Sequence, residues 1–279
     1  MQTISPLEEN ILIRPNSIEV NEALANEYVK QRRWEDAVHV YQSLLSLYPA
    51  TASLFVNRIR LGATALGISS TLILFAQIIS PIIPNIIQSP SEFAQALSST
   101  IYLVAQILLL LAFPFFSTAA ISIYKLLSYT RDHRPAFWAM VFSVMGVGLS
   151  MPLLGINAIV HPLIAHLYLS GELETPHLYS ALQQMPWSLI LHLGNYVLLL
   201  GIAIFSWVIL RNQNFPKWAT VLFLTGWTLF ILALSSSQIY LIFTGLLIFI
   251  GGLVLAYSAW MQAPLQFQPT TISPQKADS

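Results

Sequence analysis

Six stretches of this chain, 61–83, 99–124, 135–160, 186–210, 218–235 and 239–260, contain no Asp, Glu, Lys or Arg and are built mainly from apolar residues. A run of roughly 20 such residues lets a helix cross the hydrocarbon of a bilayer, where each backbone polar group must be satisfied within the segment. The pattern therefore predicts an all-α, polytopic bundle of six transmembrane helices. The fifth stretch is the shortest, and the SSSQ sequence at 235–238 reads more simply as a tight outer hairpin than as the tip of a re-entrant pair. Only 9% of the residues are charged, and the mean hydropathy is +0.67. That is too little charge for an ordinary soluble surface. The first apolar run begins near Leu61, too late for a cleavable signal peptide.

The few charges are segregated. With six crossings, all twelve basic residues fall on one side: Arg14, Lys30, Arg32, Arg33, Arg58, Arg60, Lys125, Arg131, Arg134, Arg211, Lys217 and Lys276. The opposite connections carry only Glu92, Glu172 and Glu174. The positive-inside bias makes the basic side cytoplasmic, with both termini there, in a multi-pass cell-membrane protein. Aromatic residues mark the same boundaries, with Tyr124, Trp138, Trp207, Trp218 and Trp260 at inner ends and Tyr102, Trp187 and Tyr240 at outer ends. The zero formal net charge is a balance between compartments, and no nucleic-acid partner is expected. The bilayer is the partner that the composition requires.

Prolines 114 and 152 are expected to kink spans two and three. Gly146, Gly148, Ser150 and Gly155, and likewise Gly245, Gly251, Gly252 and Ser258, would let helices approach closely. Gln77 and Gln106 are placed to hydrogen-bond between spans.

Ahead of the first span, two short helical patterns flank a polar turn at 31–33. Val20, Leu24, Ala25 and Tyr28 mark the first. Trp34, Ala37, Tyr41, Leu44 and Leu45 mark the second, which Pro49 closes. Across 18–51 the chain resembles a single tetratricopeptide repeat. Leu24, Ala25 and Tyr28 match its first helix, and Ala37, Tyr41 and Pro49 its second, with Trp34 where a bulky aromatic is common. Asn21 and Leu44 depart from that pattern. The resemblance implies a helical hairpin with Tyr28, Trp34 and Tyr41 as partner-binding residues. Arrays of this repeat usually need about three units to stand alone. A lone hairpin should therefore lean on the membrane body, pair with another copy or dock on a protein partner. The segment 50–60 can continue as a helix into span one.

Chemistry is sparse. The absence of cysteine excludes disulfides, thiolate metal sites and cysteine nucleophiles. No GxSxG elbow, Walker loop or GxGxxG is present, and no carboxylate lies within a span. The polar candidates cluster toward the outer ends of spans three and four. Asn157, His161, His166, His192 and Asn195 are ligand or proton-relay candidates. His161, His166, Glu172, Glu174, His177 and His192 are the side chains that a metal would use. Asn157 and His161 share a helix face, as do His192 and Asn195. A structural pair such as His192 with Asn157 is the plainest outcome. His161 and His166, five residues apart, point in different directions if the helix passes Pro162. No metal-binding motif organises the set, and no particular cofactor is implied.

The expected organisation is a flexible terminus at 1–17, the hairpin at 18–51, the membrane domain at 52–261 and a disordered tail at 262–279. Three functions stay open. The leading one is a membrane assembly or interaction scaffold acting through the cytoplasmic hairpin. The others are a small-solute transporter or channel with an outer polar vestibule, and a metal-assisted membrane enzyme using the same outer residues.

Overall fold

Backbone amides in hydrocarbon must pair internally, and the apolar stretches do so as α-helices. The computed structural model describes residues 49–84, 89–128, 130, 132–171, 187–212, 215–232 and 237–265, and within the head positions 24, 25, 27, 28, 36 and 40. In chain order the helices are α1 (Pro49–Ile79), α2 (Pro90–Ser98), α3 (Thr100–Leu127), α4 (His133–Gly155), a π-helical turn at Ile156–Val160, α5 (His161–Leu169), α6 (Trp187–Arg211), α7 (Lys217–Leu232) and α8 (Gln238–Leu265). Five segments are long and apolar enough to cross a membrane, and α7 is a shorter apolar helix. The protein is an all-α, multi-span membrane protein.

The helix boundaries refine the sequence reading at three places. Pro49 opens α1; the end of the head helix that it was expected to close lies outside the described residues. Proline suits a first turn, where its missing N–H has no intrahelical role. The segment 49–60 is part of the same helix, as the sequence allowed for 50–60, and the membrane-length part begins at Val56. At its other end α1 stops at Ile79, ahead of Pro81, because a proline disfavours the α conformation in the residue before it. The outer segment expected at 84–97 holds a helix of its own, α2, with Pro90 in its first turn. Ser99 makes the corner between α2 and α3. Its hydroxyl donates to Ala96 O at 2.7 Å and accepts from the Tyr102 amide at 3.2 Å.

Pro114 and Pro152 lie inside helices that continue through them. Pro162 has a larger effect. In a regular helix its ring would collide with the carbonyl four residues back, at Ala158. The preceding turn is widened instead, and the His161 amide donates to Ile156 O, five residues earlier. The helix thereby runs from His133 to Leu169, 37 residues. At 1.5 Å per residue this is about 55 Å, well beyond a hydrocarbon core of roughly 30 Å. Its last turns, α5, stand beyond the spanning part.

The five spans and α7 close into a ring in which α1 packs on α3, α3 on α4, α4 on α6, α6 on α7, α7 on α8, and α8 back on α1. Small residues set the register at several of these contacts. Ser143 faces Gly201, Gly146 faces Leu198 and Ser150 faces Gly194. Moving along α4 thus moves the contact equally far back along α6, as antiparallel helices require. Gly226 against Ile248 and Gly251 against Phe223 join α7 to α8. Gly245 against Gln77 and Gly252 against Ser70 join α8 to α1. At all of these glycines but Gly245, where a Cβ would be only tightly fitted, a Cβ would enter the neighbouring helix, so close packing replaces the hydrophobic drive that lipid does not supply. Gly148 and Gly155, expected to do the same, have open space around them, and the Ser258 hydroxyl donates to Val254 O in its own helix.

Aromatic rings fill the axis. Trp227 is 1% exposed, and its ring centroid lies 5.3 Å from Phe116, 5.7 Å from Phe230 and 6.1 Å from Phe113. The space left beside them, bounded by five of the six ring helices, is about 20 Å³. That is room for about one water.

Candidate functional site

The antiparallel ring gives the bundle two chemically different faces. At one, the starts of α1, α4 and α7 meet the ends of α3, α6 and α8. Trp138, Trp207, Trp218 and Trp260 are all exposed near these ends, forming the girdle that amphipathic rings make at a membrane interface. The Arg60 guanidinium lies 5.1 Å from the centroid of Trp260, and that of Arg211 lies 4.9 Å from Trp207. Arg211 also pairs with Asp132 across the α3–α4 connection at 3.5 Å. This basic face carries every Lys and Arg of the described residues.

The candidate polar residues lie toward the opposite, distal face. There α2 packs against α5, and Phe93, Ala94, Leu97, Tyr102 and Ala165 form a small apolar cluster of their own. His161 sits beside it, buried, with Nδ1 at 3.4 Å from the Tyr102 hydroxyl. The separation makes this a long hydrogen bond. Space at this point is about 10 Å³, too tight for a solute. Tyr102 is at an outer helix end, as its sequence position suggests, but it is 3% exposed and belongs to this cluster, not to a lipid-facing girdle.

His166, one α-helical turn and a residue beyond His161, is exposed. The two histidines diverge, as their spacing implied once the helix continued past Pro162. Asn157 is half-buried in the π turn. On the facing helix, Asn195 pairs with Ser150, and the hydroxyl lies 2.8 Å from both Asn195 Oδ1 and Gly146 O. A serine has one proton to donate, so it serves either the carbonyl or the amide oxygen. Turning the Asn195 amide over lets its NH₂ donate to the hydroxyl while the hydroxyl donates to Gly146 O, which satisfies both.

The register separates the two buried histidines. Since Ser150 lies across from Gly194, His192 falls level with Pro152. That is nine residues before His161, roughly 13 Å along the helix axis. His192 is half-buried, with Nδ1 sequestered and unpartnered among the described residues. The structure thus brings together Asn195 with Ser150 and His161 with Tyr102, and it separates His161 from both His192 and His166. Among the described residues no group of three His, Cys, Asp or Glu side chains could hold a metal ion. Glu172, Glu174 and His177 lie outside the described residues.

Within the head, Tyr28 is buried, as are Leu24 and Ala25, so its ring is covered by the chain. Trp34 and Tyr41 lie outside the described residues. Gln77 packs against Gly245 of α8, but Gln106 does not fulfil its expected interhelical role through Oε1, which is buried without a partner among the described residues.

Sequence reasoning missed Tyr102 as the neighbour of His161, and Ser150 as that of Asn195. The spacing of Ser143, Gly146 and Ser150 against Gly194 and Gly201 is the signal that could have found the second pair, because it fixes which residues lie level. A comparison with protein-family models returns no match, and comparisons with curated proteins and with solved structures also return none.

Proposed function

We propose that this protein is a membrane assembly or interaction scaffold, with a six-span body that holds a cytoplasmic helical hairpin at the bilayer surface. The observation that carries this reading is the filled axis: Trp227 and its ring of phenylalanines occupy the place where a permeation route would run. The distal polar groups, split between two levels, offer neither a wet vestibule nor a metal centre among the described residues. Activity then belongs to the other end. There α1 continues without a break from Pro49 into the bundle, which gives the chain ahead of it a rigid point of attachment at the bilayer surface.

In this reading α7 completes the sixth crossing, the basic face is cytoplasmic by the positive-inside bias, and both termini lie on that side. The head is a single tetratricopeptide-like hairpin. The burial of Leu24, Ala25 and Tyr28 supports a packed helix pair there, and Trp34 and Tyr41 are its remaining candidates for partner contact. Removing 18–48 from the full chain is expected to change the oligomeric state or the set of copurifying proteins while the body still folds. A variant with unchanged partners and an unchanged oligomeric state in mild detergent would rule the scaffold out.

A further inference from the structure

Along the outside of the α1–α8 seam runs an open apolar groove of about 620 Å³. Its floor is made by small residues, Ala63 and Gly67 of α1 and Ala256 of α8, while Ile68 and Tyr257 stand exposed at its rims. It extends from Ala63 to Leu72, which is roughly 14 Å of helix, about half of a hydrocarbon core of roughly 30 Å. The groove therefore serves one leaflet and ends near the bilayer midplane. At its basic-face end the Arg60 guanidinium lies over Trp260; the residue is half-buried, its Nε is buried without a hydrogen-bond partner, and no carboxylate pairs with it among the described residues.

We propose that this seam is a binding site for an anionic phospholipid of the leaflet at the basic face, with one acyl chain in the groove and the phosphate at Arg60. The polarity of the site follows that of the lipid: an apolar channel one leaflet long, closed by a cation and an indole at the headgroup level. The length separates this occupant from a helix of a second copy, which would run on past Leu72 into the other leaflet. Arg60 is suited to the phosphate because its guanidinium is planar and remains charged. Its partner Trp260 holds it over the groove mouth. Arg58 carries the same charge but lies two residues away, and so on a different side of the helix.

The test uses the full chain in phosphatidylcholine vesicles containing phosphatidylglycerol or phosphatidylcholine spin-labelled on the acyl chain, with the motionally restricted fraction measured for each. The wild type is expected to restrict phosphatidylglycerol preferentially. Arg60→Gln should lower that preference about fivefold, the factor expected of one arginine near the surface, while Arg58→Gln should leave most of it. Thr64→Trp, which fills the groove from an exposed position, should remove the tightly held lipid and leave the protein folded. Equal loss with Arg58→Gln, or no loss with Thr64→Trp, would show a diffuse attraction to the basic face and overturn the site. Because the chain has no cysteine, Tyr257→Cys adds a separate check. Efficient crosslinking between copies at that position in membranes would give the groove to a second copy and reject the lipid.

Discussion

A hydrogen atom in place of a side chain decides where several of these helices touch. At Gly146 the backbone of Leu198 occupies the place of a Cβ, whereas at Gly148, two residues on and facing outward, there is open space. The two positions are chemically identical in the sequence and opposite in the fold. Gly146→Leu is expected to destabilise the protein by about 3 kcal/mol through overpacking, with α4 and α6 forced apart. Gly148→Leu should be close to neutral or slightly favourable, since leucine is the better helix former. Thermal unfolding in one detergent compares them directly, and equal effects would mean that the α4–α6 register is wrong. This is also where the sequence is least legible. Asn157, His161, His192 and Asn195 were recognisable as polar side chains in apolar surroundings, yet their partners depend on the rotation and register of each helix. One widened turn before Pro162 alters both for everything beyond it.

At the scale of elements much more was readable. The absence of charge over membrane-length runs marks every span because an unpaired charge in hydrocarbon is costly. The helix ends were less visible. Pro49 can close one helix and open the next with equal local comfort, and only the continuous run of α1 shows that it opens one. Ser99 is a capping signal that could have been read from its position ahead of an apolar run. Replacing it with alanine removes both the cap on the Tyr102 amide and the donor to Ala96 O. The expected cost is about 1 kcal/mol, and it should appear first as faster hydrogen exchange at the start of α3. Unchanged exchange there would mean that the α2–α3 corner is held by the packing of α2 on α5 alone.

For the whole molecule, the pairings of α3 with α4, α6 with α7 and α7 with α8 follow from short connections, but the closure of α1 on α8 does not. It joins the first span to the last. The cue lay in the spacing of Gly245 and Gly252, which recurs at the heptad interval and matches Gln77 and Ser70 on α1. Closure has a direct test. A Cβ on Gly245 would lie 3.5 Å from that of Gln77, within the range of a disulfide. Gln77→Cys combined with Gly245→Cys should therefore form an intramolecular crosslink on mild oxidation, seen as faster migration that reverses with reductant. A crosslink only between copies, or none, would open the ring.

The unbroken α1 has a mechanical consequence. The stretch 49–60 ahead of the bundle is helix continuous with one stave of the ring, so it has no loop in which to absorb rotation. A twisting load applied ahead of Pro49 reaches the Gly252–Ser70 and Ser69–Ala112 contacts as torque, and α3 and α8 must either resist it together or change register together. A load on that helical extension is thereby in mechanical communication with the hydrocarbon.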